Sequence, residues 1–319
     1  MPLTWSISRD RTLHTCERQY YYQYLAPARI NSRDPILREI AFLKKLKNIP
    51  TWQGEAFHSA LSDYLKSILQ NRNISTDPLL SRVRSRMERE WEFSKSRAFR
   101  DDPRAIDQDG GLALFEHEYE EEQSVTACTS SIQFVEQSIV AISEWAEEVN
   151  LPHAIQTASQ VWIEPPIFGP NALGYMVDGV KVIIKVDLAL LHPDGQFEIF
   201  DWKTGKPSTR STISVDKAEF QINVYQLWPC LALQHPVGSI RAYLVYPATN
   251  PILRKDYRID QNVYEYTLSL VRRSVARVRR FGDTETDVAL HLADFDFAAF
   301  AAACKRCAFK RLCQRTLDE

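Results

Sequence analysis

Lys185–Lys206 reads KVDLALLHPDGQFEIFDWKTGK, two apolar runs split by the turn-forming Pro193-Asp194-Gly195. Such a stretch predicts a β-hairpin with strands over 180–191 and 196–202. Side chains alternate along a strand, so Asp201 and Lys203 share one face while Trp202 points to the other. Asp187 lies in a run, 182–191, that would read as a fully buried strand but for Lys185 and Asp187 itself. A carboxylate there is costly unless it is paired or bound to a cation. Two carboxylates and a lysine at one spot make a site for a hard cation such as Mg²⁺. The chemistry suits phosphodiester hydrolysis. Asp187, Asp201 and the backbone carbonyl of Trp202 are candidate ligands for one or two Mg²⁺ ions, and Lys203 would orient water and meet charge growing on the phosphoryl oxygens. A D-x-K triplet alone is common and usually a surface salt bridge; the buried acid at 187 is what raises this one above that reading.

Outward from the hairpin, apolar periodicity predicts helices over 6–25, 52–68, 79–99 and 132–149, then a strand over 158–168. Asp216 with Glu219 resembles a capping box that opens a helix running to about Leu233. Strands over 239–247 and 253–259 and a helix over 262–281 follow, and 101–111 is a loop. On the helix after the hairpin, Gln221 and Tyr225 fall at i and i+4 and share a face. Taken alone, that pair reads as a packed helix face. Upstream, Gly54 and His58 open the helix GEAFHSAL. His58 lies on the face of Leu61 and Leu65, so its default is a packing role; as a ligand it would favour Mn²⁺ over Mg²⁺.

A chain of 319 residues, 45% hydrophobic, can bury one large core or two modest ones. The net charge of −2 excludes a whole-protein basic footprint, so any nucleic acid must be met by local patches. The opening MPLTWSISRDRT has no apolar core and no stretch approaches a membrane span, so neither a secretory signal nor a transmembrane segment is expected. Six cysteines without a signal point to a reducing, cytoplasmic setting, where cysteine clusters more often mean metal than disulfides.

In order along the chain, Gly54/His58, Asp187, Asp201/Lys203 and Gln221/Tyr225 resemble the signature of the RecB-type branch of the PD-(D/E)xK nucleases: G-x-x-x-H, G-x-x-D, D/E-x-K and Q-x-x-x-Y. DWKTGK is close to that family's D-Y-K-T-G. One departure is Ile184, which stands where the family has the glycine of G-x-x-D and bears on backbone geometry more than on chemistry. The resemblance implies a three-layer α/β core of restriction-endonuclease type, a mixed sheet between helices, as one nuclease domain over 1–319 with a helical insertion near 80–150. It also implies Asp187, Asp201, Lys203, Gln221 and Tyr225 as catalytic residues, and His58, Asp187, Asp201 and Trp202 around Mg²⁺ or Mn²⁺.

Cys304, Cys307 and Cys313 are spaced C-x₂-C-x₅-C, and Cys16, ahead of the aromatic Tyr20–Leu25, is the natural fourth ligand. Four thiolates suit either an iron–sulfur cluster or structural zinc. The same pattern marks the cluster-bearing nucleases of AddAB-type repair complexes and of CRISPR adaptation, and that resemblance implies a [4Fe–4S] cluster clipping 1–25 to 300–319. Cys128 and Cys230 have no partner at metal spacing. Candidate DNA contacts are Lys305, Arg306, Lys310 and Arg311 around the cysteines and the helical stripe Arg273, Arg277 and Arg280, with Arg82, Arg84, Arg86 and Arg89 on the insertion. Each set is more often a solvated face. The expected activity is metal-dependent cleavage of single-stranded DNA or DNA ends, in repair, defence or spacer acquisition. The alternative, from another class, is a cluster-bearing DNA-binding or scaffold subunit of a larger assembly.

Overall fold

The computed structural model describes residues 3–72, 75–207, 217–281 and 291–313. Their chain contacts define two compact units: Met1–Ser6 with Gln53–Val83 and Ile132–Asp283, and Ile7–Trp52 with Arg84–Ser131 and Thr284–Glu319. The expected insertion, 80–150, contributes to both.

Among the described residues, the first unit holds eight strands in two sheets. A three-stranded sheet runs β1 (Thr4–Trp5), β4 (Val180–Ile183), β3 (Gly174–Val177), with β1 parallel to β4 and β3 antiparallel to it. A five-stranded sheet runs β2 (Gln160–Ile163), β5 (Leu188–Leu191), β6 (Phe197–Trp202), β7 (Ile240–Tyr246), β8 (Leu253–Arg258). It is mixed: β6 and β7 are parallel, joined through the helix Lys217–Ala232, and the other neighbours are antiparallel. The parallel pair needs that crossover helix because two parallel strands cannot be joined by a tight turn. Asp216, read as its cap, lies outside the described residues.

Helices cover both faces of the five-stranded sheet, as strand alternation dictates. Phe197, on the face of Asp201, meets Trp228 of the crossover helix edge-on at 5.6 Å. Trp202, on the other face, meets Trp145 of the helix Ala127–Glu148 at 6.0 Å. This is the mixed α/β architecture of a restriction-endonuclease-like core, with a second sheet that the sequence reading did not anticipate. The single strand expected over 180–191 is in fact β4 and β5, one in each sheet. The chain leaves β4 after Ile183, and the Ile184 amide bonds to the Leu173 carbonyl rather than to a neighbour of β5. Both halves are apolar because both sheets bury them, so composition alone does not reveal the break. Gly195 closes the β5–β6 hairpin at φ +84°, a left-handed backbone that favours glycine.

The second unit packs Tyr22, Phe42, Leu43, Phe99, Phe309 and Leu312 into one buried cluster. The helix expected over 6–25 breaks at Cys16, which caps a new turn, Glu17–Tyr20, followed by a π-helical Tyr21–Leu25. A charged knot lies beside this core. Glu118 is fully buried, receives hydrogen bonds from Arg100, and pairs with Arg311 at 3.0 Å. Arg100 also reaches Glu39 at 2.8 Å. Removing one partner of a buried ion pair strands the others, which typically costs roughly 3–5 kcal/mol. Glu118→Ala is therefore expected to lower the thermal midpoint markedly; an unchanged midpoint would show that the arginines find water instead.

Candidate active site

The sheet register builds the site. Ile163 pairs with Leu188, and Leu188 with Phe200. One step beyond those pairs stand Glu164, Asp187 and Asp201, a row of three carboxylates across β2, β5 and β6. Directly opposite residues on antiparallel strands share a face, so the row converges. Glu164 sits at φ +40°, a left-handed conformation uncommon outside glycine, and its amide bonds to the Asp187 carbonyl at 3.0 Å.

The helix Ile49–Leu69 supplies His58. Its Nδ1 lies 3.3 Å from Asp187 Oδ1 and 3.7 Å from Glu164 Oε1. Gly54 of this helix faces the loop after β6: a Cβ there would stand 3.4 Å from Thr204 Oγ1, an ordinary contact. The expected G-x-x-x-H and D-x-K-T segments thus meet face to face.

Asp187 Oδ2 accepts the Trp202 amide at 2.8 Å, so Trp202 enters the site by its backbone while its ring faces away. Lys203 Nζ pairs with Asp201 Oδ2 at 2.5 Å. Gln221 Nε2 donates to Asp201 Oδ1 at 3.2 Å and to Tyr225 Oη at 2.8 Å. The helix face read as ordinary packing is therefore turned onto the second carboxylate. All of these residues except Trp202 line one cavity of about 370 Å³, together with Ser62, Lys66 and Lys185.

Its electrostatics are those of crowded acids. Burial raises the Asp201 carboxyl, Lys203 opposes this, and Asp187 adds to it; the net direction is up. Asp187 is also pushed up by burial, but His58, the Trp202 amide and Lys203 outweigh that and hold it below the usual range. Burial lowers His58, yet Asp187 first, then Asp201 and Glu164, raise it overall. Burial and Asp187 raise Glu164. Five carboxylates line the cavity (Glu55, Asp63, Glu164, Asp187 and Asp201) against three lysines and one imidazole, an excess of acids that a divalent cation would help to balance. The donor set fits such an ion. His58, Glu164 and Asp187 each offer a ligand atom, all within 4.8 Å of one another. Asp201 Oδ2 is buried without a hydrogen bond of good geometry, although Lys203 faces it as an ion pair.

The family model of the PD-(D/E)XK nuclease superfamily matches residues 4–314. The chain belongs to that superfamily. No curated protein matches it. Two solved structures show distant likeness. One is an exonuclease candidate from Eubacterium rectale, 14% identical, aligned over 95% of this chain and 87% of its own, at a TM-score of 0.45. The other, SSO0001, is 14% identical over 62% of this chain and 78% of its own, at 0.31. Divalent metals are typical of the superfamily, in keeping with the acids and imidazole gathered here.

This superfamily member carries a second constellation, in its other unit. Cys16, Cys304, Cys307 and Cys313 line one cavity of about 440 Å³ with Arg18. All six cysteines are unbridged. Cys16 Sγ accepts the Gln19 amide at 3.4 Å, and Tyr22 stacks on Phe309 at 5.2 Å, so the N-terminal aromatics pack against the cysteine segment. Burial pushes the Cys307 thiol up to about 11, with the neighbouring Cys16, Cys313 and Cys304 adding to it. Cys230 stands apart, raised to about 11 by burial, and Cys128 is raised by burial as well.

The basic candidates divide. Lys310 sits over the rings of Tyr119 and Phe115 at 4.0 and 4.6 Å, and Arg311 is held by Glu118. Lys305, Arg306, Arg273 and Arg280 are exposed, Arg280 beside Phe281, and Arg277 is half-buried on the helix Gln261–Arg279. No helix among the described residues is long and apolar enough to cross a membrane. Glu164 is the site acid that sequence reading missed. Its available signal was a single carboxylate ending an apolar strand just before Pro165-Pro166.

Proposed function

We propose that the chain hydrolyses phosphodiester bonds of DNA, on single strands or ends, at the cavity formed by His58, Glu164, Asp187, Asp201 and Lys203, in the manner of the RecB-type branch. The observation that carries this is the transverse row of three carboxylates capped by an imidazole, with a lysine on the outermost acid. His58, Glu164, Asp187, Asp201 and the Trp202 carbonyl would hold Mg²⁺ or Mn²⁺. Such an ion polarises a phosphoryl oxygen and lowers the pKa of water. Lys203 aligns the attacking water and meets charge developing on the phosphate. Gln221 fixes the orientation of Asp201 and is itself oriented by Tyr225. The trp-side of β6, packed on Trp145, anchors the strand that presents these groups.

The four cysteines are assigned to a [4Fe–4S] cluster. Their support is the shared cavity and the family-like spacing. Partners in a repair or defence assembly belong to the same reading.

The test is labelled single-stranded DNA with Mg²⁺, Mn²⁺ or chelator. Cutting that appears only with the metal is expected; none under any metal would overturn the assignment. Within that assay, His58→Ala is expected to cost about tenfold or more in kcat with little change in thermal midpoint, since even groups that only support a metal ligand typically cost about 10–100-fold when lost. A fully active His58→Ala would return the residue to a packing role.

A further inference from the structure

One end of the active-site cavity is occupied by groups that the metal chemistry does not use. His58, Ser62 and Lys66 recur at four-residue spacing along the Ile49–Leu69 helix and line the cavity together. Ser62 is 4% exposed, and its hydroxyl has no hydrogen-bond partner among the described residues. A buried hydroxyl left unpaired is destabilising by itself, and a turn of the Ser62 side chain toward the cavity would give it a partner in a bound ligand. Lys185 borders the same cavity from the segment between β4 and β5. Neither Lys66 nor Lys185 forms a hydrogen bond or ion pair among the described residues; both act on Glu164 through space. Lys203, Gln221 and Tyr225 gather instead at Asp201. Glu55 and Asp63 line the cavity as well, so Lys66 and Lys185 are cations set among acids rather than a separate basic patch.

We propose that Ser62, Lys66 and Lys185 form a binding subsite for a backbone phosphate of the nucleic acid strand, neighbouring the phosphate that is cut. This rests on the nuclease reading above. A strand crossing the carboxylate row carries one charge per nucleotide and can leave its scissile phosphate at the metal ligands only if the next one is met by cations. The two lysines supply that charge, and Ser62 supplies a hydrogen-bond donor. The subsite would fix which bond is presented and hold the strand against repulsion from Glu164.

The experiment measures binding of a fluorescent single-stranded oligonucleotide across a salt series, on the Lys203→Ala chain with Mn²⁺ so that the strand stays whole. Each phosphate contact on a single strand contributes about 0.7 to the slope of log affinity against log salt. Lys66→Gln with Lys185→Gln is expected to lower that slope by about 0.7, the share of one phosphate. An unchanged slope overturns the subsite. Ser62→Ala is expected to weaken binding while leaving the thermal midpoint equal or higher, because it removes an unpaired buried hydroxyl. A lower midpoint with unchanged binding would mark Ser62 as structural and remove it from the subsite. If wild type does not cut DNA with any divalent metal, the nuclease reading itself has failed, and that failure is told apart from failure of the subsite before the salt series begins.

Discussion

Asp201→Ala and Lys203→Ala are each expected to abolish cutting of single-stranded DNA while leaving its binding largely intact. Asp201 is 2% exposed, touches Lys203 and Gln221, and feels the charge of Asp187 across the row. Removing it deletes a candidate metal ligand and the anchor of the lysine together. Losing a single group that stabilises transition-state charge typically costs about 10²–10³-fold in kcat. The ligand loss adds to that, so Asp201→Ala should be the more damaging of the two. Binding draws mostly on phosphate contacts elsewhere and is a separate contribution. Single-turnover cleavage beside fluorescence anisotropy checks both quantities. Undiminished cutting in either variant would sink the assignment of the hairpin.

The second large effect is expected at the cysteines. Anaerobically prepared protein should be brown and carry about four irons per chain. Cys16→Ala should lose most of that iron although its partners lie near residue 310, because the remaining three thiolates leave one iron corner unprotected. The variant should also become sensitive to proteases near both ends of the chain. Some order should survive, since the N-terminal segment also meets residues 296–297 directly. The Arg18 amide donates to the Asp296 carbonyl at 3.1 Å, and the Arg18 guanidinium lies over Phe297 at 3.6 Å. Metal analysis of wild type beside the variant decides it. One zinc and no iron in wild type would favour the zinc reading, and unchanged iron in the variant would remove Cys16 from the site.

Residues whose placement follows from local periodicity were legible in the sequence. Two-residue alternation puts Asp201 and Lys203 on one face whatever the rest of the chain does, and the Pro-Asp-Gly turn fixes the hairpin around them. Gln221 and Tyr225 were visible as a pair, but their direction depends on how the crossover helix lies on β6, which no spacing encodes. Glu164 was not legible for the same reason: it joins Asp187 through cross-strand register. The break inside 180–191 was hidden because two buried strands in different sheets have the composition of one. The helix Pro35–Leu43 did leave a signal that went unread. Asp34 caps it, accepting the Ile36 amide at 2.8 Å, with proline in its first turn.

The second unit is assembled from three stretches far apart in sequence, and that has a consequence for biosynthesis. Its buried cluster sets Tyr22 and Ala26 against Phe309 and Leu312, so side chains made early wait for partners that follow them far along the chain. During synthesis at roughly 5–20 residues per second, the apolar faces of the early helices stay open until residues 309–312 clear the ribosome. Premature termination anywhere upstream leaves those faces permanently uncovered and prone to aggregate. Quality control in the cell therefore has a simple mark by which to recognise an unfinished copy.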